Sequence, residues 1–149
     1  MVKDNLKLRG DVAIVVKGED GTVKDTREIH NLVVDDGLNF IVSRMKDTTQ
    51  GAMSHMAVGS GTTAAAAGQT DLVSILGSRE ALDSTTVSTN TVTYVSSFEA
   101  GEGTGAVTEA GIFNASSSGD MLCRTVFSVV NKGASDSMSI TWTITLTAS

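Results

Sequence analysis

Residues 137–149, SMSITWTITLTAS, place Met138, Ile140, Trp142, Ile144 and Leu146 at alternate positions with Ser and Thr between them. A strict period of two is the mark of a β-strand that turns one face to a core and the other outward. Such a strand needs partners, because an isolated strand leaves its backbone groups unpaired. Trp142 stands in the middle of the apolar register and is expected in the core. The same alternation governs the other end of the sequence, where Leu6, Leu8, Val12, Ile14 and Val16 share one side and Lys7, Arg9 and Asp11 fall between the first of them. GEDG then supplies hairpin-turn residues, and TVKDTREIHN can return as a second arm.

From residue 84 onward the pattern is β throughout. TVSTNTVTYVSSFEA puts Val92, Tyr94 and Phe98 on one face and Thr91, Thr93 and Val95 on the other. DMLCRTVFSVV is an apolar run interrupted by Arg124 and Thr125, as suits a central strand. GEGTG, ASSSGD and NKGASDS are turn material. One segment departs from this. In VVDDGLNFIVSRMKD, Leu38, Ile41, Val42 and Met45 recur at helical spacing, which predicts a helix of about three turns capped by Asp35 or Asp36 and packed through that stripe on a sheet. MAVG reads as a brief strand, and the Ala-rich stretch after it as an ordered loop between glycines. The fold expected is mainly β, an antiparallel β-sandwich or jelly-roll-like domain with one short helix. Residues 1–30 form an N-terminal hairpin or clamp arm that can belong to the main domain, and residues 31–149 form the sandwich.

Composition narrows the chemistry. The net charge is -6, and most of the 11 Lys and Arg lie in the first 50 residues, interleaved with carboxylates. No uncompensated basic stripe results, so nucleic acid is not an expected partner. No apolar run approaches the roughly 20 residues of a membrane-spanning helix, and no export signal is read at the N-terminus. The single Cys, Cys123, excludes an internal disulfide and reads as a small buried hydrophobe.

Catalytic signatures are thin. His30 and His55 lie apart and lack the HxH or HExxH spacing of a metal site. GSGTT and GEGTG have the look of phosphate loops but lack the Lys-Ser/Thr and the helix that such loops need, so both are read as tight turns. Glu99, Glu102 and Glu109 offer carboxylates for glycosidase-like chemistry, yet a single Tyr and a single Trp provide little surface for stacking a sugar. No catalytic, cofactor-binding or metal-ligating residue is assigned.

TEAGIFNA, residues 108–115, is the most distinctive stretch. If extended, it sets Ala110 and Ile112 on one side and Glu109, Gly111 and Phe113 on the other. A glycine there marks a bulge or a close backbone approach. Phe113 becomes a packing anchor, and Glu109 is expected to hold a neighbouring turn through backbone N–H groups or through Arg124. ASSSGD then turns the chain, and MLCRTVF returns antiparallel.

The order NLVVDDGLNFIVSRM, HMAVGSGTTAAAAGQTDL, then TEAGIFNASSSGDMLCRTVFSVVNKGASDSMSITWTITL resembles a family of small virion proteins of tailed bacteriophages, over roughly residues 30–147. MAVGSGTT, TEAGIFN, MLCRTVF and the terminal ITWTI also resemble segments of phage tail-fibre and tail-collar proteins. The resemblance implies a non-enzymatic β-rich subunit with Glu109, Gly111, Ile112, Phe113, Arg124 and Trp142 as residues of its structural signature. It implies a virion location after assembly in the host cytoplasm, a homo-oligomer with a trimer among the candidates, and either the major capsid protein or tail and collar proteins as neighbours. Without a repetitive shaft or a receptor-binding tip, the chain fits a capsid decoration or cement protein first, and a tail, collar or baseplate adaptor second.

Overall fold

The computed structural model describes residues 5–46 and 50–148. Along the chain run β1 (Leu6–Lys17), β2 (Val23–His30), β3 (Leu32–Val33), α1 (Asp35–Arg44), β4 (His55–Gly59), β5 (Glu80–Ala81), β6 (Ser84–Ser88), β7 (Thr91–Phe98), β8 (Gly105–Phe113), β9 (Met121–Lys132) and β10 (Ser137–Ala148). They form two antiparallel sheets. Sheet A has the order β2-β1-β10-β7-β6, and sheet B the order β3-β9-β8-β4-β5. The molecule is a β-sandwich with one short helix.

Sheet A is built on its two longest strands. β1 and β10 pair without a break from Leu6 opposite Ala148 to Lys17 opposite Ser137. Their alternation brings Val12, Ile14, Val16, Met138, Ile140, Trp142 and Ile144 into the core, where each is at most 2% exposed. The β1–β2 hairpin closes through Gly21, whose φ of 83° is in the left-handed region that glycine adopts without strain. Residues 6–30 therefore lie within sheet A, with β1 between β2 and β10.

Trp142 has a polar partner that its strand pattern does not announce. Its indole Nε1–H donates to Asn31 Oδ1 at 2.8 Å. Asn31 fits because residue 10 is glycine, where a Cβ would fall on the Asn31 side chain. A buried indole N–H left unpaired costs on the order of 1–3 kcal/mol, so Gly10 and Asn31 act together to make the core position suitable for Trp.

Sheet B supplies the opposite wall, with Met56, Val58, Val107, Ala110, Ile112, Leu122 and Cys123 facing the same core cluster. The helix departs from the expected packing. Its buried residues are Gly37 and Phe40, whereas Leu38, Val42 and Met45 are 40%, 65% and 83% exposed. The cause is Gly37: it meets the backbone of β9 so closely that a Cβ would come 2.0 Å from the Leu122 carbonyl oxygen. That approach rotates Phe40 inward and turns most of the apolar stripe outward. The expected cap is also absent. Val34 occupies the cap position with no side-chain bond, Asp35 lies in the first turn, and Asp36 uses Oδ2 to accept the Met121 N–H at 2.7 Å.

Candidate functional site

β8 has both faces covered. From Val107 to Phe113 every residue is buried. Ala110 and Ile112 belong to the core between the sheets. Phe113 packs on the other side with Val34, Ala57, Met121 and Leu72. Leu72 comes from the long connection between β4 and β5, residues 60–79, which lies over the outer face of sheet B.

Glu109 and Arg124 hold that connection in place. Both side chains are fully buried. Glu109 Oε1 accepts the Gly61 N–H at 3.0 Å and the Ser74 N–H at 2.7 Å. Its Oε2 accepts the Val73 N–H at 3.0 Å and Arg124 Nε at 2.9 Å. Arg124 Nη2 lies 2.8 Å from the same oxygen, an ion contact without a well-directed hydrogen bond. Arg124 Nη1 continues outward, donating to the Thr63 carbonyl and to Gln69 Oε1, each at 2.9 Å. Thr108 adds a bond from Oγ1 to the Gly61 carbonyl at 2.8 Å. Residues 61–74 of the connection are thus tied to one carboxylate and one guanidinium.

The glycines around this clamp have a steric reason. A Cβ on Gly59 or Gly61 would stand 2.5 Å from Glu109 Oε1. GSGTT presents one backbone N–H, that of Gly61, to the chain's own carboxylate, and this bond fastens the loop. Gly111 lies opposite Arg124 in the β8–β9 pairing. It marks a close approach rather than a bulge: its Cβ would be 3.1 Å from Leu72 and from the Phe113 ring, and the register shifts fall on either side of it.

Electrostatics agree with the geometry. Burial pushes the Glu109 carboxyl upward, but the N–H donors of Ser74 and Val73, Arg124 and the Gly61 N–H outweigh it, and the pKa lies below its ordinary value. Glu109 is an ionised, fully bonded carboxylate with no open approach, so what it can do is hold structure. It is not poised to transfer a proton.

The remaining candidates lie elsewhere. Glu102 Oε2 accepts the Glu99 N–H at 2.8 Å beside the GEGTG turn, whereas the Glu109 carboxylate is bonded within the clamp. That turn needs its glycines, since Gly101 and Gly103 have φ of 84° and 58°. His30 is exposed, with Nδ1 2.7 Å from Asp11 Oδ1, and His55 Nδ1 is 2.8 Å from Ser54 Oγ. No group of three or more His, Cys, Asp or Glu able to hold a metal ion occurs among the described residues. Cys123 is buried, and burial pushes its thiol pKa well up.

Sequence reasoning missed Arg79. Its guanidinium sits 3.6 Å from the centroid of the Phe113 ring and donates to the carbonyls of Ala115 at 2.9 Å and Ser118 at 2.7 Å. It pins the β8–β9 turn to the same connection that Glu109 pins at its base. Lys132 was also missed. It is 1% exposed, and its Nζ donates to the Glu99 carbonyl at 2.9 Å. Neither residue lies in a motif, and both act on backbone carbonyls that could belong to any residue type.

Comparison with protein-family models, with curated proteins and with solved structures finds no match to this chain.

Proposed function

We propose that this protein is a non-enzymatic structural subunit of a tailed-phage particle, and that it decorates the head as a cement protein on the outer shell. The observation that carries the reading is where the resembling segments meet. MAVGSGTT, TEAGIFN and MLCRTVF are separated in sequence, yet they contribute Gly59, Gly61, Glu109 and Arg124 to one buried clamp. The shared pattern is therefore a device that fastens a long connection onto a sheet. A rigid sandwich of this kind suits a subunit whose task is to hold a shape between neighbours. Several modest interfaces add strongly only where a lattice presents them together. The expected neighbours are the major capsid protein and further copies of this chain.

The resemblance to tail-fibre and tail-collar segments favours a second reading, an adaptor that seats a fibre at the tail or neck. Antibody labelling of purified virions, with copy number measured by quantitative mass spectrometry, separates the two. Label over the whole head, in numbers tied to the shell lattice, supports decoration. Label confined to the neck or tail, in few copies, supports the adaptor. Absence from the particle overturns both.

A further inference from the structure

Three of the five strands of sheet A contain no Asp, Glu, Lys or Arg. These are β6, β7 and β10, and the turn that joins β6 to β7 is also uncharged. In a chain of net charge -6 this is a marked segregation. The three strands are adjacent, in the order β10-β7-β6, and β6 is the outer edge. Their outward face is lined by small hydroxyls and one valine, with Ser139, Thr141 and Thr143 of β10 beside Ser97, Val95 and Thr93 of β7.

The four sheet edges differ in how they are protected. β3 and β5 have two residues each, too short to template another strand. β2 carries Lys24, Asp25, Arg27 and Glu28. Arg27 binds Asp25 and reaches across to the carbonyls of Ser128 and Val129, and Lys24 binds Asp136. β6 has none of these devices. Its five residues, STTVS, are all exposed, contain neither charge nor Pro, and pair with β7 without a register shift. Its Val87 is 76% exposed.

We infer that β6 is a self-association edge, at which a second copy of this chain adds its own β6 antiparallel across a two-fold axis through Thr86. The segment is self-complementary in that register. Ser84 lies opposite the second copy's Ser88, Thr85 opposite its Val87, and Thr86 opposite its Thr86. Val87 is opposite Val92 within sheet A, and Val92 packs against the core. Val87 therefore points to the inner side of the sheet, and the pairing would cover it with the neighbour's Thr85. No charge faces a like charge. The flanking Asp83 residues of the two copies would stand six residues apart along the pair, roughly 20 Å, well beyond the screening length of about 8 Å at physiological salt.

A contact of this size is smaller than a stable dimer interface. It is expected to be weak for free protein and to matter where other contacts hold copies side by side. The inference deepens the proposed virion role, but its test uses purified full-length protein and so fails or succeeds independently of that role.

Sedimentation velocity over a concentration series is expected to show reversible dimerisation. Thr86→Lys and Thr86→Glu each place like charges on directly opposed positions across the axis, with Cβ atoms about 5 Å apart, and should each raise the dissociation constant by up to roughly fivefold. An equimolar mixture of the two should associate again, whereas Val42→Lys on the exposed face of α1 should leave association unchanged. Thr86→Cys should form an intermolecular disulfide under mild oxidation, because directly opposed strand residues lie within disulfide reach. Ser88→Cys should not, because its own counterpart lies four residues further along the pair. Failure of Thr86→Cys to cross-link, or variants that stay separate when mixed, would overturn the inference. So would cross-linking of Ser88→Cys as efficient as that of Thr86→Cys.

Discussion

β8 and β10 are both antiparallel strands, and they treat their outward faces in opposite ways. In β10, buried Met138, Ile140, Trp142 and Ile144 alternate with half-exposed Ser139, Thr141 and Thr143. In β8 the outward positions Glu109, Gly111 and Phe113 are as buried as the inward ones. The difference comes from the connection of residues 60–79, which covers sheet B and leaves sheet A bare. Leu72 and Leu76 anchor the loop by packing, but most of it is Gly, Ala, Ser and Thr, which bury little apolar surface. Directed polar bonds take over that role, and they must be buried to fix the loop firmly. The charge-assisted clamp of Glu109 and Arg124 is the local consequence of roofing one sheet with a polar loop.

The largest effect is expected from removing one half of the clamp. Arg124→Ala leaves Glu109 buried without its counter-ion, and the loss of stability is expected to be about 3–5 kcal/mol, read by urea unfolding. Replacing both partners with Gln and Met should recover a large part of that loss, because most of it comes from the orphaned charge. Equal losses in the single and double variants would mean that packing, and not charge pairing, holds the roof. Gly61→Ala should cost less, about 1–3 kcal/mol, because its Cβ would displace a carboxylate that keeps its other bonds. Limited proteolysis within residues 60–79 should rise in both variants while the sheets remain folded.

Acid should weaken the clamp over sheet B. The folded-state pKa of Glu109 is depressed: burial raises it, and the N–H donors and Arg124 more than offset that. The unfolded chain therefore binds more protons, and stability rises with pH. This contribution is complete above the ordinary carboxylate pKa of about 4.3 and disappears as pH falls through the folded value. Asp136 acts in the same direction through Lys24 and the Gly133 N–H. Asp120 opposes them, because burial and its neighbour Asp36 raise its pKa, so its contribution is lost as pH rises through that raised value. Unfolding measured between roughly pH 5 and 3 should show a shallower pH slope in Glu109→Gln than in the wild type. An unchanged slope would remove Glu109 from the account.

The bare sheet was legible in the sequence and the covered one only partly so. Period-two alternation identifies β1, β7 and β10 because their two faces meet different surroundings. TEAGIFNA could also be read, since Glu109, Gly111 and Phe113 fall on one face by the same rule, and the pairing with Arg124 follows from the return strand. The sequence points to backbone N–H groups as partners of Glu109 but does not reveal which backbone groups serve. Gly61, Val73 and Ser74 serve Glu109 through N–H groups that nearly every residue possesses. The helix misled for a related reason. Its apolar stripe suggested one buried face, but a glycine in contact with the Leu122 carbonyl decided the rotation, and a helical hydrophobic stripe gives glycine no weight.

The smallest effect is expected on the open face of sheet A, and it tests whether that face is as free of structural duty as its exposure suggests. Thr93 and Thr143 stand opposite one another on β7 and β10, with their Oγ1 atoms 3.2 Å apart. Such a cross-strand hydroxyl pair contributes about 0.2–1 kcal/mol, and water can replace either partner at once. Thr143→Ala should therefore cost less than about 1 kcal/mol, and a double-mutant cycle with Thr93→Ala should return a coupling energy within the same range. A loss approaching that of Arg124→Ala would contradict the contrast between the two sheets. It would mean that the outward hydroxyls are themselves a structural network, as strongly coupled in the open as the clamp is under its roof.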